Sequence, residues 1–205
     1  MNSKKYAGAL YSFEYVETLK DIINNSSLKY SDRPAYMYKE SGDKDFKAIT
    51  YHDFKKNIDE LGTTLIDMGF KGSKIAIIGE NSYKWAMSYF AVATGVGTIV
   101  PLDKNLEIGE IINLMKRADV ELVFTSYKMH EKVAKAFKEV NGLRNLVILD
   151  EPTNGLDEAS VEKFKDMILN LKDDSRVIIV ASHDREGLEE ISDEIIKMEL
   201  GRVIS

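Results

Sequence analysis

The chain of 205 residues contains no cysteine, which excludes disulfide bonds, thiolate metal sites and a cysteine nucleophile. Only 3 prolines and 13 glycines are present, while 44% of the residues are hydrophobic and 30% are charged. These proportions are typical of a globular protein with an ordinary core. Lys4 and Lys5 are not followed by a long apolar segment, which argues against a signal peptide. The sequence therefore predicts a cytoplasmic protein.

Long uncharged runs are also scarce. The main exception extends from residue 85 to residue 102 and approaches the length of a membrane span. It contains Gly95, Gly97 and Pro101, and residues 98–100 favour a β-strand. We therefore expect a buried helix followed by a buried strand, and no membrane span.

Negative charge is concentrated near the end of the chain. Residues 1–150 contain 21 basic and 20 acidic side chains, whereas residues 151–205 contain 7 basic and 14 acidic ones. Nucleic-acid binding needs Lys and Arg to replace the counterions of the phosphate backbone. The acidic segment therefore argues against a nucleic-acid partner.

Short apolar strand patterns alternate with amphipathic helix patterns along the chain. Strands are predicted at residues 35–39, 46–49, 74–78, 98–101, 121–124, 146–150, 177–181, 194–198 and 202–204. The first two strands form a predicted hairpin. Helices are predicted near residues 14–24, followed by a polar connector at 25–27, from Thr50 to Met68, around Trp85, and near 108–117, 133–137, 161–171 and 185–191. Thr50 is expected to cap its helix, whose apolar stripe ends at Met68 and which Gly69 and Gly72 terminate. This alternation predicts an α/β fold with a mostly parallel, doubly wound, Rossmann-like sheet and helices on both faces.

The most specific motif follows the apolar run 146–149. Two carboxylates, Asp150 and Glu151, end the predicted strand and lead into Pro152 and Thr153. Such a strand end can hold Mg²⁺ through Asp150 and direct an attacking water through Glu151. The G-x-x-x-x-G-K-[ST] loop that would cradle the phosphates is absent from all 205 residues.

From about residue 145 onward, the sequence resembles the end of an ABC-transporter ATPase. The strand and Asp150 resemble Walker B, which implies a metal ligand at Asp150 and a catalytic base at Glu151. Residues 154–157 resemble the D-loop that crosses to a partner subunit in that family, so Asp157 is implied in cofactor binding. His183 matches the switch histidine, implied to contact the γ-phosphate.

Residues 11–140 resemble a different family, the start of the adenylate-forming, AMP-binding acyl-CoA synthetases. The matching stretches are residues 32–35, 49–51 and, above all, 79–102. In that family this region is scaffold. The ATP-gripping Ser/Thr/Gly-rich loop would follow a strand like 146–149, but this chain continues with Glu151 instead. The ribose-binding aspartate and the lid lysine are absent as well.

The two resemblances predict an engineered chimera, with fragments 1–144 and 145–205 folded as one continuous α/β domain. Without the Walker A loop, the ABC signature and the adenylation loop, we expect no efficient catalysis, so Glu151 and His183 are inherited and inactive. No cofactor is assigned, and Mg-ATP binds weakly at most. Two alternatives stay open: an ABC-type ATPase working as a dimer, and a module that binds adenine nucleotides weakly.

Lost strands in both fragments leave apolar surface, which predicts either a homodimer or a repaired sheet edge. The parent families imply ATP, transporter membrane subunits or acyl substrates as partners. His52 and His130 are predicted to be surface residues near helix starts, and neither has a spaced partner that would indicate zinc. The turn 79–82 could bind an anion, but Glu80 opposes it.

Overall fold

The computed structural model describes residues 15–39, 44–149, 158–182, 185–199 and 202–204. In chain order the elements are α1 (Leu19–Lys29), β1 (Pro34–Tyr38), β2 (Lys47–Thr50), α2 (Tyr51–Asp67), β3 (Lys74–Ile78), α3 (Tyr83–Ala91), β4 (Thr98–Pro101), α4 (Ile108–Ala118), β5 (Leu122–Thr125), α5 (His130–Glu139), β6 (Asn145–Ile148), α6 (Glu158–Leu171), β7 (Val177–Val180), α7 (Arg185–Ile191), β8 (Lys197–Glu199) and β9 (Arg202–Ile204). A π-helical turn follows α3 at Val92–Val96. A 3-10 turn precedes α5 at Tyr127–Met129.

The chain divides into two compact units. The first unit comprises Met1–Gly72 with Ala86–Gly97, and the second comprises Ser73–Trp85 with Thr98–Ser205. The first unit is therefore discontinuous in sequence. The predicted division at residues 144 and 145 lies inside the second unit and stays a prediction.

Helix α1 of the first unit begins later than the sequence pattern indicated. The predicted helix near residues 14–24 is present, but α1 covers Leu19–Lys29, so the prediction of a polar connector at 25–27 was wrong. Thr18 starts the helix: its hydroxyl accepts a hydrogen bond from the Asp21 amide at 3.1 Å, and the Asp21 carboxylate accepts one from the Thr18 amide at 3.0 Å. This reciprocal cap outweighs the weak helix propensity of the Asn and Ser residues that follow.

The hairpin and α2 of the first unit agree with the sequence prediction. β1 and β2 pair antiparallel, and the Thr50 hydroxyl accepts a hydrogen bond from the Asp53 amide at 3.0 Å, which caps α2. Gly69 and Gly72 end the helix region with φ of 92° and 85°, a conformation that glycine adopts without strain. The apolar stripe ends earlier than predicted, because Met68 is exposed.

The second unit contains a five-stranded sheet in the order β4-β3-β5-β6-β7. All four strand pairs are parallel, and the chain reverses its direction of travel across the sheet after β4. The predicted α/β fold with a mostly parallel, doubly wound sheet is therefore confirmed. β8 and β9 form a separate antiparallel ribbon in the described part of the chain.

The main core of the second unit involves strands β3, β5 and β6 and helices α4 to α7. Its buried members include Ala76, Ile78, Ile111, Met115, Val123, Val133, Phe137, Leu143, Leu146, Ile148, Phe164, Ile168, Leu171 and Ile191. Each fully buried large apolar side chain contributes roughly 1.5–3 kcal/mol relative to leaving it in water. On β7 the burial is incomplete, and Val177 and Ile179 are exposed.

The uncharged stretch 85–102 forms most of α3, the π-helical turn and β4. Among the helices of the described residues, none is both long and apolar enough to cross a membrane.

Candidate functional site at the carboxyl edge of the sheet

The parallel strands of the second unit end together at one edge. Ile78, Thr125, Ile148 and Val180 are aligned across β3, β5, β6 and β7. The strand order reverses between β3 and β5, because the chain leaves β3 for β4 on one side and then crosses to β5 on the other. In open α/β sheets, ligands bind outside the carboxyl ends of the strands at such a reversal. The residues that follow β3 and β5 are therefore the first place to look for a site.

These two strand ends meet closely through Gly79 and Ser126. The Ser126 amide donates a hydrogen bond to the Ile78 carbonyl at 3.3 Å. A Cβ atom placed on Gly79 would lie 3.1 Å from both Cβ and Oγ of Ser126 and 3.2 Å from its amide nitrogen. A side chain at position 79 would therefore require Ser126 to move by a few tenths of an ångström, so glycine suits this close approach.

The Glu80 carboxylate closes the gap between the strand ends. The buried Ser126 hydroxyl donates a hydrogen bond of 2.6 Å to Glu80 Oε2, and Lys104 Nζ lies 3.9 Å from Oε1. Burial raises the pKa of Glu80, but the hydrogen bonds from Ser126 and the Glu80 amide, with the charges of Lys104 and Lys128, outweigh it. The pKa of Glu80 therefore lies below its ordinary value.

The loop that carries Lys104 is itself fixed by hydrogen bonds. Lys132 of α5 donates to the carbonyls of Lys104 at 3.1 Å and Leu106 at 2.8 Å. Within the loop, the Asp103 carboxylate accepts a hydrogen bond from the Asn105 amide at 2.8 Å. Lys104 is thus presented to Glu80 from an ordered turn after β4.

Tyr127 continues the site towards α6. Its ring stacks on His130 at 4.7 Å and meets the edge of Phe164 at 5.3 Å, and its hydroxyl donates to the Ser160 carbonyl at 3.3 Å. His130 Nδ1 lies 2.8 Å from the Tyr127 carbonyl. His52 and His130 both stand at helix starts, as expected, and the described residues contain no group of three or more His, Asp or Glu side chains suited to a metal ion.

The four sequence-predicted site residues, Asp150, Glu151, Asp157 and His183, lie outside the described residues. The strands that lead to them are described. The Leu149 amide donates to the Thr125 carbonyl at 2.9 Å, and β7 ends beside β6 at the same edge. These strands end at the edge that carries Glu80 and Ser126, and the roles of the four residues stay predictions.

Sequence reasoning identified Glu80 only as an obstacle to anion binding and missed Ser126, Lys104 and Lys128. One signal was available, because Ser126 directly follows a buried strand in an α/β pattern. The pairing itself requires the strand order, which brings residues 46 positions apart into contact.

The chain resembles known proteins of two kinds. The family model described as AMP-binding enzyme matches residues 24–187. The chain is 24% identical over 185 residues to long-chain-fatty-acid–CoA ligase 5 of Rattus norvegicus, which covers 87% of this chain and 25% of the ligase. This chain is also 35% identical over 60 residues to an uncharacterized ABC transporter ATP-binding protein of Methanocaldococcus jannaschii. That match covers 29% of this chain and 23% of the transporter protein.

Among solved structures, the adenylation domain of a carboxylate reductase from Mycobacterium chelonae superposes with a TM-score of 0.66 at 17% identity. That match covers 86% of this chain and 29% of the reductase chain. At this identity the likeness shows the fold alone. The chain spans about a quarter of the length of the curated relatives it matches.

Proposed function

Because the chain belongs to the AMP-binding enzyme family, we propose that it is a structural hybrid without efficient catalysis. In this proposal an adenylate-forming enzyme supplies the scaffold up to about residue 144, and the Walker B to C-terminal fragment of an ABC ATPase completes its sheet. We infer an engineered origin, since natural fusions usually join complete domains whereas this join falls within a sheet.

The observation that carries the proposal is a core built from both sides of the predicted join. Phe137 and Leu143 precede the join, and Phe164, Ile168 and Leu171 follow it, yet all five are buried in one cluster. A C-terminal fragment attached to a complete, separate domain would have its own core or lie on the surface of that domain. Here the two parts share one.

Specific contacts across the join support the same conclusion. Tyr127 contacts Phe164 and donates its hydroxyl hydrogen to the Ser160 carbonyl. The Arg176 guanidinium lies 5.2 Å from the centre of the Phe137 ring, a distance suited to a cation–π contact. β6 and β7 also continue the sheet in regular parallel register.

The family match continues past the predicted join to residue 187. This continuation is compatible with a hybrid, because a strand–helix–strand unit occurs in both parent folds. A continuous natural coding sequence spanning residues 100–180 in a genome would contradict the engineered origin.

The absence of efficient catalysis follows from the missing phosphate-gripping parts. Phosphoryl transfer depends mainly on positioning and electrostatic clamping of the phosphates, and no G-x-x-x-x-G-K-[ST] run occurs in the sequence. Asp150 and Glu151 could hold Mg²⁺ and a water only if the nucleotide were held by other groups.

Thermal unfolding with and without millimolar MgATP tests the proposal. A site occupied at 100 times its Kd adds about 2.7 kcal/mol, which is about 5–10 °C for a chain of this size. We expect no shift. A saturable shift that Asp150→Asn or Glu151→Gln abolishes, and the exposed control Asp166→Asn retains, would support the nucleotide-binding module instead.

The ATPase alternative has its own readout. Phosphate release from MgATP that depends on protein concentration and disappears in Glu151→Gln and Asp157→Ala would support an ABC-type dimer. Phosphate release at the buffer rate in all three proteins agrees with the hybrid proposal.

A further inference from the structure

We propose that Ser126 and Lys104 form an anion-binding site at the β3–β5 strand ends, that the Glu80 carboxylate is its resident anion, and that the site's ligand class is a phosphate-sized oxyanion. This inference does not rest on the hybrid proposal, because all three residues lie in the second unit before residue 145.

The Glu80 carboxylate is held by groups that also bind oxyanions. The Ser126 hydroxyl is buried and donates its hydrogen to Glu80 Oε2, while Lys104 lies near the other oxygen, Oε1. The positive charge of Lys128 helps to lower the pKa of Glu80. A hydroxyl donor and an ammonium group together form a set that also binds oxyanions such as phosphate.

The charge of the Glu80 carboxylate is offset by the nearby Lys104 ammonium group. Removal of the carboxylate leaves this ammonium group and the Ser126 hydroxyl donor without it in a partly buried place. A free anion would restore both the charge balance and the hydrogen bond.

Solvent can reach the place that the carboxylate occupies, because the Glu80 side chain is 31% exposed and that of Lys104 is 44% exposed. Hydrogen bonds hold the loop from which Lys104 extends, so the Lys104 backbone should stay beside the strand ends when Glu80 is changed.

The same two strands carry a second serine–carboxylate contact that lacks a lysine partner among the described residues. At the opposite edge of the sheet, Ser73 precedes β3 and donates a hydrogen bond of 3.1 Å to Glu121, which precedes β5. In the described part of the chain no lysine lies within 4.0 Å of the Glu121 carboxylate, and the neighbouring Lys74 pairs with Asp119 instead. Glu121 therefore provides a matched control.

The experiment measures binding of inorganic phosphate to the full chain by isothermal titration calorimetry at constant ionic strength. The variants are Glu80→Ala, Glu121→Ala and the double variant Glu80→Ala with Lys104→Ala. Alanine removes the carboxylate and opens the place that it occupies. We expect Glu80→Ala to bind phosphate at least tenfold more tightly than the wild type, which corresponds to about 1.4 kcal/mol. Glu121→Ala should bind like the wild type, and the double variant should lose most of the gain.

Equal phosphate affinity in Glu80→Ala and the wild type would overturn the proposal. An equal gain in Glu121→Ala would overturn it too, since it would show an effect of net charge alone. Circular dichroism checks that each variant is folded. If Glu80→Ala does not fold, Glu80→Asp retracts the carboxylate by one methylene and should give a smaller gain, and no gain there overturns the proposal. The assay contains neither nucleotide nor Mg²⁺, so its failure leaves the hybrid proposal standing.

Discussion

Replacement of Phe164 by alanine should strongly destabilise the second unit. The ring is fully buried, lies in the shared core and meets Tyr127 edge-on. Truncation of a buried Phe costs about 3–5 kcal/mol. With a urea dependence of about 2 kcal/mol per molar, the unfolding midpoint should fall by about 2 M.

The assay is urea unfolding followed by the fluorescence of Trp85, the single tryptophan, and by far-ultraviolet circular dichroism. Leu169→Ala on the same helix is the control, because Leu169 is 49% exposed and its loss should cost less than about 1 kcal/mol. Trp85 belongs to the second unit although it lies far from Phe164 in sequence. A loss below about 1 kcal/mol for Phe164→Ala, or a Trp85 transition that it leaves unchanged, would refute the shared core.

Three further predictions concern local features. Gly79→Ala should destabilise the chain by about 1–3 kcal/mol in thermal unfolding, because the new Cβ would lie 3.1 Å from Ser126. Gly109→Ala in α4 is the control: its Cβ would have no atom within 4 Å, so it should stabilise the chain by about 0.5–1 kcal/mol. Equal effects of the two variants would contradict the close approach at Gly79. Thr50→Ala should destabilise the chain by about 1 kcal/mol, because the cap of α2 is lost. Thr50→Ser keeps the hydroxyl and should keep most of the stability. An equal loss of stability in both variants would argue against a cap. The folded pKa of Glu80 lies below its ordinary value near 4.5, so the ionised carboxylate should stabilise the fold above that value. This stabilisation should be lost as the pH falls through the folded pKa. If the urea midpoint of Glu80→Gln depends on acid pH as strongly as that of the wild type, the pH dependence arises from other carboxylates.

The strands of the sheet and its helices were largely predictable, because the residues that they bury recur along the sequence as apolar residues with a clear period. β4 and α7 were predicted with the bounds that the structure has, and α4 was predicted to within one residue. Turn chemistry worked equally well at Thr50 and Gly69. Where local chemistry and sequence pattern disagreed, as at α1, the Thr18 cap determined the start of the helix.

The site was less accessible to sequence reasoning. Glu80 was noticed because it follows a strand, but its effect depends on Ser126, which only the reversal of strand order brings near. The contribution of Lys104 depends further on the Lys132 hydrogen bonds that hold its loop. Contacts of this kind arise from the sheet as a whole, and no short sequence window contains them.

The discontinuous first unit has a consequence for the order in which the chain can fold during synthesis. The first unit needs Ala86–Gly97, so β3 is synthesised before that unit is complete. The neighbours of β3 in the sheet, β4 and β5, emerge later still. Ile75, Ile77 and Ile78 are all fully buried in the finished fold, yet their strand has only one of its two neighbours, β4, until β5 ends at Thr125. A nascent chain stalled between β3 and β5 should be the form most in need of a chaperone.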